Sequence, residues 1–262
     1  MENHFSIGFM GGGRISYLLL EGLKRVNALP DNIIVSDPNL ERNKIFKSID
    51  ADKIEFTQQN SEPLKSQIIF LAVHPPVIKE VLSEIQKNLN PRSILVSLAP
   101  VVKIQSLQQL LGGHEQIVRM IPNAPSIIGR GYNPVCFADS ISSQQKSNLF
   151  SLFNHWGQTP EVEEDKLEAY AILTAMGPTY FWFQWMELQK LGKQFKLNEE
   201  EINLSLQEMI TGSSNLLFSS DYSDKEVLDM IPVKPLQEEE ENVRNMMNNR
   251  LQSIHSKLTK NK

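Results

Sequence analysis

The sequence predicts an α/β chain: a doubly wound parallel sheet followed by an all-helical region. Three observations carry that expectation. An apolar run near the N-terminus breaks into glycines that open an amphipathic stretch, and short β-rich runs then alternate with helical patterns as far as residue 163. Beyond Glu163 the strand signal stops and helical periodicity takes over, so the expected division is 1–163 and 164–262.

The first element is the run His4-Phe5-Ser6-Ile7-Gly8-Phe9-Met10-Gly11-Gly12-Gly13-Arg14-Ile15. Glycines let the backbone turn sharply and approach a phosphate, while the unpaired N–H groups and dipole of the following helix attract negative charge. The pattern Gly8-x-x-Gly11-x-Gly13 thus offers a place for a pyrophosphate, although the commoner spacing is GxGxxG. An amphipathic stretch from Ile15 to Val26 follows, then Ile33-Ile34-Val35 ending in Ser36-Asp37. An acidic residue about twenty positions beyond the glycines is where a ribose 2′-hydroxyl is held, which points to a dinucleotide and a Rossmann-type sheet. A glycine-rich turn in some other α/β protein is the competing reading.

Further strands are expected at Gln67 to Val73, Ser93 to Ser97, Gln116 to Met120, Pro134 to Phe137 and Thr159 to Val162. In the helical region, Lys166 to Gln194 is rich in aromatics and is interrupted at Gly177-Pro178, where a helix must kink or break. Asn198 with Glu201, and Ser223 with Glu226, have the spacing of capping boxes, and a last helix is expected after Pro235. Its acidic start at Glu238 to Glu241 and basic end at Lys257, Lys260 and Lys262 suit the helix dipole and describe a solvated surface helix.

Composition narrows the function. With 26 Lys and Arg against 31 Asp and Glu, a net charge of −5 and no basic blocks, the chain lacks the clustered cations that nucleic-acid phosphates require. One cysteine, Cys136, excludes an intrachain disulfide and a CxxC site, and the five histidines include no HExxH, so no metal site is expected. No apolar stretch reaches membrane-spanning length, and Met1-Glu2-Asn3-His4 has neither the basic start nor the apolar segment of a secretory signal. A cytoplasmic location with no membrane partner is expected.

Several segments resemble, in order, the pyrroline-5-carboxylate reductase family. Gly8-Phe9-Met10-Gly11-Gly12-Gly13 is similar to its GFIGAG turn, and Phe70-Leu71-Ala72-Val73-His74-Pro75 to its LAVKP strand end. Val118-Arg119-Met120-Ile121-Pro122-Asn123-Ala124-Pro125 resembles its VRVMPNTP, and Thr174-Ala175-Met176-Gly177-Pro178-Thr179-Tyr180 its SGSGPAY at the start of a helical dimerisation domain. The resemblance implies a Rossmann-type domain, an all-α dimerisation domain and a homodimer or larger ring, with Phe181, Trp182 and Trp185 as interface or core. It also implies an NAD(P)H cofactor, with Gly8, Phe9, Met10, Gly11, Gly12, Gly13, Arg14 and Ile15 around the pyrophosphate. Ser36 and Asp37 would lie near the adenosine ribose, joined by Asn60, and Ala72, Val73, His74 and Pro75 beside the nicotinamide ribose. A ring that carries hydride lies against protein on one face and substrate on the other, which suits Ala72, Ala99 and the Pro122-Asn123 turn. Asp37 favours NADH, because a carboxylate there repels the 2′-phosphate of NADPH, whereas Arg14, Arg42 and Lys44 can compensate that phosphate.

The chain departs from the family where substrate would sit. The family's TSPGGTT loop, which offers N–H groups and hydroxyls to a carboxylate, is replaced by Asp229-Met230-Ile231-Pro232-Val233-Lys234-Pro235-Leu236, whose prolines lack N–H donors. Lys234, held between Pro232 and Pro235, is a candidate point charge for an anionic substrate. Reduction of a C=N bond needs a proton at nitrogen, for which Thr174, Tyr180 and His74 are candidates. Three readings follow: a reductase of a small cyclic imine, a non-catalytic NAD(P)-binding sensor, and a β-hydroxyacid-type dehydrogenase. The last ranks lowest, because its Lys-x-x-x-Asn pair is absent: Lys166 is followed four residues on by Tyr170.

Overall fold

The computed structural model describes residues 5–260. Met1-Glu2-Asn3-His4 and the terminal Lys262, on which the reading of the chain start and of the last basic residue falls, lie outside the described residues. Two compact units emerge: the chain through Met176 together with the end from His255, and Gly177–Ile254.

The first unit is built on seven strands: β1 (Ile7–Met10), β2 (Ile33–Ser36), β3 (Ile54–Thr57), β4 (Ile68–Leu71), β5 (Ile94–Ser97), β6 (Ile117–Met120) and β8 (Val135–Phe137). Their order is β3-β2-β1-β4-β5-β6-β8, and every neighbour pair is parallel except β6 with β8. Strand order therefore reverses between β1 and β4, the switch point at which doubly wound sheets bind ligands. β1, β2, β4, β5 and β6 are buried along their whole length, which is why they read as continuous apolar runs without alternation. Helices α1 (Arg14–Arg25), α2 (Asn43–Ile49), α3 (Ile78–Ile85), α4 (Ile104–Leu110) and α5 (Ser143–Phe153) connect the strands, and β7 (Gly131–Tyr132) pairs with β9 (Gly157–Gln158) beside them.

Two differences from the expected elements have local causes. Thr159–Val162 forms no regular strand; β9 stops at Gln158, and beyond it the chain runs past β8 with one bridge, Val135 to Glu161, because Pro160 has no N–H to continue a ladder. β3 was not anticipated, since Ile54-Glu55-Phe56-Thr57 is a short edge strand with a polar residue inside it. The first compact unit also continues past residue 163, through α6 (Leu167–Tyr170) and a π-helical turn at Ala171–Ala175, because Leu167 and Ala171 are buried against Ile121.

The second unit is helical: α7 (Pro178–Gln194), α8 (Glu199–Ser219), α9 (Asp224–Asp229) and most of α10 (Gln237–Thr259). Both expected capping boxes are present, Asn198 with Glu201 and Ser223 with Glu226, each satisfying the N–H of its partner. α7 and α8 meet where Gly192 faces Ile202, at a distance that leaves no room for a methyl group. Among the described residues, no helix is long and apolar enough to cross a membrane.

Around α1 the packing is tightest. Trp156 is fully buried, donates Nε1–H to the Leu19 carbonyl at 2.8 Å, stacks on Phe153 and meets the edge of Phe70. A methyl group on Gly22 would sit 2.9 Å from both the Ser126 carbonyl oxygen and Trp156 Cδ1. Helix propensity alone favours Gly22→Ala by about 1 kcal/mol, whereas overpacking costs about 1–3 kcal/mol. Urea denaturation should show net destabilisation, since the atoms in the way are backbone and a wedged indole; a gain would mean that the Ser126 turn yields.

Candidate functional site

The site lies beyond the carboxyl ends of β1, β4, β5 and β6. At its centre is Gly11, in the left-handed region with φ +99°; a Cβ there would lie 2.6 Å from the Ala72 carbonyl oxygen, so only glycine lets β1 pass so close to the end of β4. Gly11 N–H donates to the Ser36 carbonyl and Ala72 N–H to the Met10 carbonyl, each at 2.8 Å, which fixes the turn to strands on both sides. Ser16 Oγ closes the turn onto the Gly11 carbonyl at 2.5 Å. Gly13 is the N-cap of α1, has no side chain to cap it, and no acidic residue occupies the first turn. The amides of Gly13, Arg14 and Ile15 therefore open onto the site as an anion-binding end.

The acidic residue at the end of β2 does a second job. Asp37 Oδ2 accepts the Gly12 N–H at 2.9 Å and Oδ1 accepts the Asn39 N–H at 2.9 Å, while Arg42 donates Nη1–H to the Gly12 carbonyl at 2.7 Å. Arg42 Nε lies 3.9 Å from Asp37 Oδ1, a loose and partly exposed pair. Asp37 and Arg42 thus grip the Gly12 peptide from both sides. Ser36 is fully buried and its hydroxyl donates to Asn60 Oδ1 at 2.9 Å; Asn60 in turn donates to Glu84 Oε2 at 2.8 Å. Phe9 and Met10 are wholly buried, with Phe9 stacked on Phe70, so their side chains support the turn from inside the sheet.

Beside the glycine turn is a cavity of about 240 Å³. Ile15 forms one side, Ala72 to Pro75 after β4 another, Leu98 to Pro100 after β5 a third and Ile121-Pro122 after β6 a fourth, and the π-helical end contributes Ala171, Ala175 and Met176. Of the candidates from sequence, His74, Ala72, Val73, Pro75, Ala99 and Ile15 are gathered here. His74 is exposed and lines the cavity from the N-cap position of the Pro75–Val77 turn, with no side-chain capping bond. Asn123 is buried with its amide engaged at both ends, donating to the Thr174 carbonyl and accepting the Tyr132 N–H, each at 3.2 Å. Thr174 sits in the π turn and donates its hydroxyl to the Tyr170 carbonyl at 2.8 Å. A π turn leaves carbonyls without their usual partners, and Asn123 satisfies one of them.

Tyr180 and Lys234 belong to the helical unit. Tyr180 is half-buried near the start of α7, and burial pushes its phenol above the ordinary tyrosine value. Lys234 is exposed between α9 and α10. Burial, then the nearby Glu164 carboxylate, pushes the Cys136 thiol up to about 11, which keeps it protonated and unreactive at neutral pH. Sequence reasoning missed Glu84 behind Asn60 and the trio of buried Arg119, buried Glu168 and half-buried Glu164. An arginine inside the apolar strand Ile117-Val118-Arg119-Met120 was the one available signal for the trio.

Comparison with known proteins agrees with this geometry. The family model described as NADP oxidoreductase coenzyme F420-dependent matches residues 6–100, which span the glycine turn and the strands through β5. The chain is 26% identical to pyrroline-5-carboxylate reductase of Haemophilus influenzae over 218 residues, 82% of this chain and 79% of that one. It is 28% identical to human pyrroline-5-carboxylate reductase 2 over 222 residues, 82% of this chain and 69% of that one. In fold it matches the Plasmodium falciparum pyrroline carboxylate reductase crystallised with NADP bound, with a TM-score of 0.83, 24% identity, and coverage of 100% of this chain and 99% of that one. A pyrroline-5-carboxylate reductase from Coxiella burnetii gives a TM-score of 0.75 at 24% identity over 99% of both chains. The chain is thus similar in sequence to pyrroline-5-carboxylate reductases over about four-fifths of its length, and shares the fold of solved members of that family over its whole length.

Proposed function

We propose that this chain is an NAD(P)H-dependent reductase acting on the C=N bond of a small cyclic imine, pyrroline-5-carboxylate or a close relative, and so forms proline or its analogue. The observation that carries the reading is the small apolar cavity at the β1/β4 switch point, bounded by the anion-binding end of α1 on one side and the π turn on the other. The residues present fit a dinucleotide: the tight turn that only glycine permits at Gly11 and the uncapped start of α1 it aims into the site are what a pyrophosphate needs.

In this reading Gly8 to Ile15 shape the pyrophosphate site, and Asp37, with Ser36 and Asn60 behind it, borders the adenosine ribose. Ala72 to Pro75, Ala99 and the Pro122-Asn123 turn form the wall against which a nicotinamide ring rests. The reduced nicotinamide, when bound, supplies the hydride that the imine carbon receives. The protein must then exclude water and deliver one proton to the imine nitrogen. The apolar lining from Leu98, Ile121, Ala171 and Met176 serves the first need. For the second, the candidates are Tyr180, a phenol protonated at neutral pH, His74, which lines the cavity, and Thr174, whose hydroxyl already donates to the Tyr170 carbonyl. Lys234 is the proposed point charge for the substrate carboxylate, in place of backbone N–H groups that Pro232 and Pro235 cannot supply.

We infer a modest preference for NADH and a cytoplasmic location. The Asp37 carboxylate repels a 2′-phosphate, and Arg42, committed to the Gly12 carbonyl, compensates only in part. We also infer a homo-oligomer formed through the helical unit. Phe183, Met186, Phe195 and Phe218 are 63%, 66%, 71% and 80% exposed, far more apolar surface than a solitary unit of this size should present to water.

Oxidation of NADH or NADPH on addition of pyrroline-5-carboxylate tests the activity directly: turnover supports the reductase reading, whereas cofactor binding without turnover of this or related cyclic imines supports the sensor. Titration by cofactor fluorescence should show NADH binding more tightly than NADPH by a few-fold, or roughly 0.5–1 kcal/mol, the size of a partly screened charge interaction. Asp37→Asn, which keeps an acceptor for Gly12, should shift that ratio toward NADPH. Light scattering on the eluted protein should give at least twice the mass of one chain, and a monomer would overturn the assembly.

A further inference from the structure

We propose that Arg119 and Glu168 are positioning residues that hold the cavity in its working shape by pinning a strained turn at Val101. The inference deepens the reductase reading and rests on it for its activity arm only.

The observations form a chain of contacts within the first unit. Arg119 projects from β6 and is fully buried; its Nη2 donates to Glu168 Oε1 at 2.7 Å and its Nη1 to Glu164 Oε1 at 2.9 Å. The same two oxygens take backbone donors from the loop after β5: Glu168 Oε1 accepts the Val101 N–H at 3.0 Å, and Glu164 Oε1 accepts the Ile104 N–H at 2.6 Å. Outside this pair, Lys103 Nζ reaches Asp165 Oδ1 at 2.7 Å. One buried guanidinium therefore ties together the segments that run directly into three cavity walls. Ile121-Pro122 continues from Arg119, Leu98 to Pro100 lead into Val101, and Ala171 and Ala175 follow Glu168 on the same helical segment.

Val101 shows why such a tie is needed. Its φ is +81°, a conformation in which a β-branched side chain is strained and which persists only when the surroundings enforce it. The group that enforces it is the Glu168 carboxylate on the Val101 N–H. Without that bond the valine relaxes to negative φ, and Pro100 and Ala99, one and two residues upstream, swing out of the wall. The buried pair is not needed for net stability, since such pairs roughly break even against apolar replacements. Its geometry does specific work: it offers one carboxylate oxygen to a backbone amide at a fixed place.

The test compares the parent with Glu168→Ala, Glu168→Gln, Val101→Gly and the double variant Glu168→Ala with Val101→Gly, each shown by circular dichroism to be folded at 25 °C. NADH affinity by fluorescence, deuterium uptake of residues 98–104, and kcat and KM for pyrroline-5-carboxylate are measured on each. Glu168→Ala should speed deuterium uptake in the 98–104 segment and weaken NADH binding and raise KM at least tenfold. Glu168→Gln, which retains an oxygen acceptor, should stay within about threefold of the parent in NADH affinity. Val101→Gly should recover most of the loss in the double variant, because glycine holds positive φ without help. A merely structural role for Glu168 would lower thermal stability without this recovery. Folded Glu168→Ala protein with parental NADH affinity, or a double variant no better than Glu168→Ala, would overturn the proposal. If Glu168→Ala does not fold, Glu168→Met, of similar volume and lacking an oxygen acceptor, takes its place. A parent that binds NADH yet leaves pyrroline-5-carboxylate unreduced defeats the reductase reading alone, and the NADH and deuterium arms still decide the positioning role.

Discussion

The approach of the Gly11 backbone to the Ala72 carbonyl governs the arrangement around it. Strand order reverses between β1 and β4, so the chain leaving each strand turns to opposite sides of the sheet and a crevice opens between them. The crevice is useful only if the first turn is tight enough to aim the start of α1 into it. Gly11 at φ +99°, with no Cβ to strike Ala72, makes that possible, and the Ser36, Met10 and Ser16 hydrogen bonds fix the result. α1 is then pressed against Trp156 and the Ser126 turn through Gly22, so the anion-binding end cannot rock away from the sheet.

Polar groups near the crevice are already employed by the protein. Asp37 grips Gly12, Ser36 and Asn60 lead to Glu84, and Asn123 joins β6 to the π turn. This is preorganisation: the side chains that a ligand would meet are held by partners behind them, which spares the cost of ordering them on binding. It also divides labour. Asp37 cannot be exchanged for a residue that merely suits a different ribose, because its other task is to hold the glycine turn. Thr174 is constrained in the same way, since its hydroxyl proton points back to Tyr170 within the turn that shapes the cavity.

Legibility from sequence followed the range of the interactions. The glycine turn, the acidic residue after β2 and the capping boxes at Asn198 and Ser223 are local, with partners within a few residues or at a fixed offset, and each left a pattern that could be read. β3 was hidden because four residues at a sheet edge carry too little periodicity, and Pro160 turned an apparent strand into an extended segment with one bridge. The buried Arg119 network joins residues 45 and 49 positions apart, and no local rule relates them. The continuation of the first unit through the π turn was equally hidden, since it depends on Leu167 and Ala171 finding Ile121. What the sequence did show there was a conflict: an arginine in an apolar strand and a Gly-Pro break within a helical pattern. Such conflicts mark places where tertiary structure overrides local preference, and the residues next to them in the first unit, Ile121-Pro122 and Met176, line the same cavity.

Substrate recognition presses hardest on this architecture. Strain at Val101 and a π turn at Ala171–Ala175 are both costly; Pro100 beside the first, and Ala171 and Ala175 in the second, line one cavity of about 240 Å³. A chain that only bound a dinucleotide would need the glycine turn and the end of β2, and could relax the rest. Here the irregular backbone borders the same cavity that Ile15 of α1 lines, where the proposed reading puts substrate beside the cofactor. The lining there is apolar and small, from Ala99, Ala171 and Ala175, which suits a compact ring and leaves charge recognition to residues outside the wall. Retained strain beside that cavity is difficult to reconcile with a site that has lost its second ligand, and it supports the proposed reductase over a non-catalytic binder.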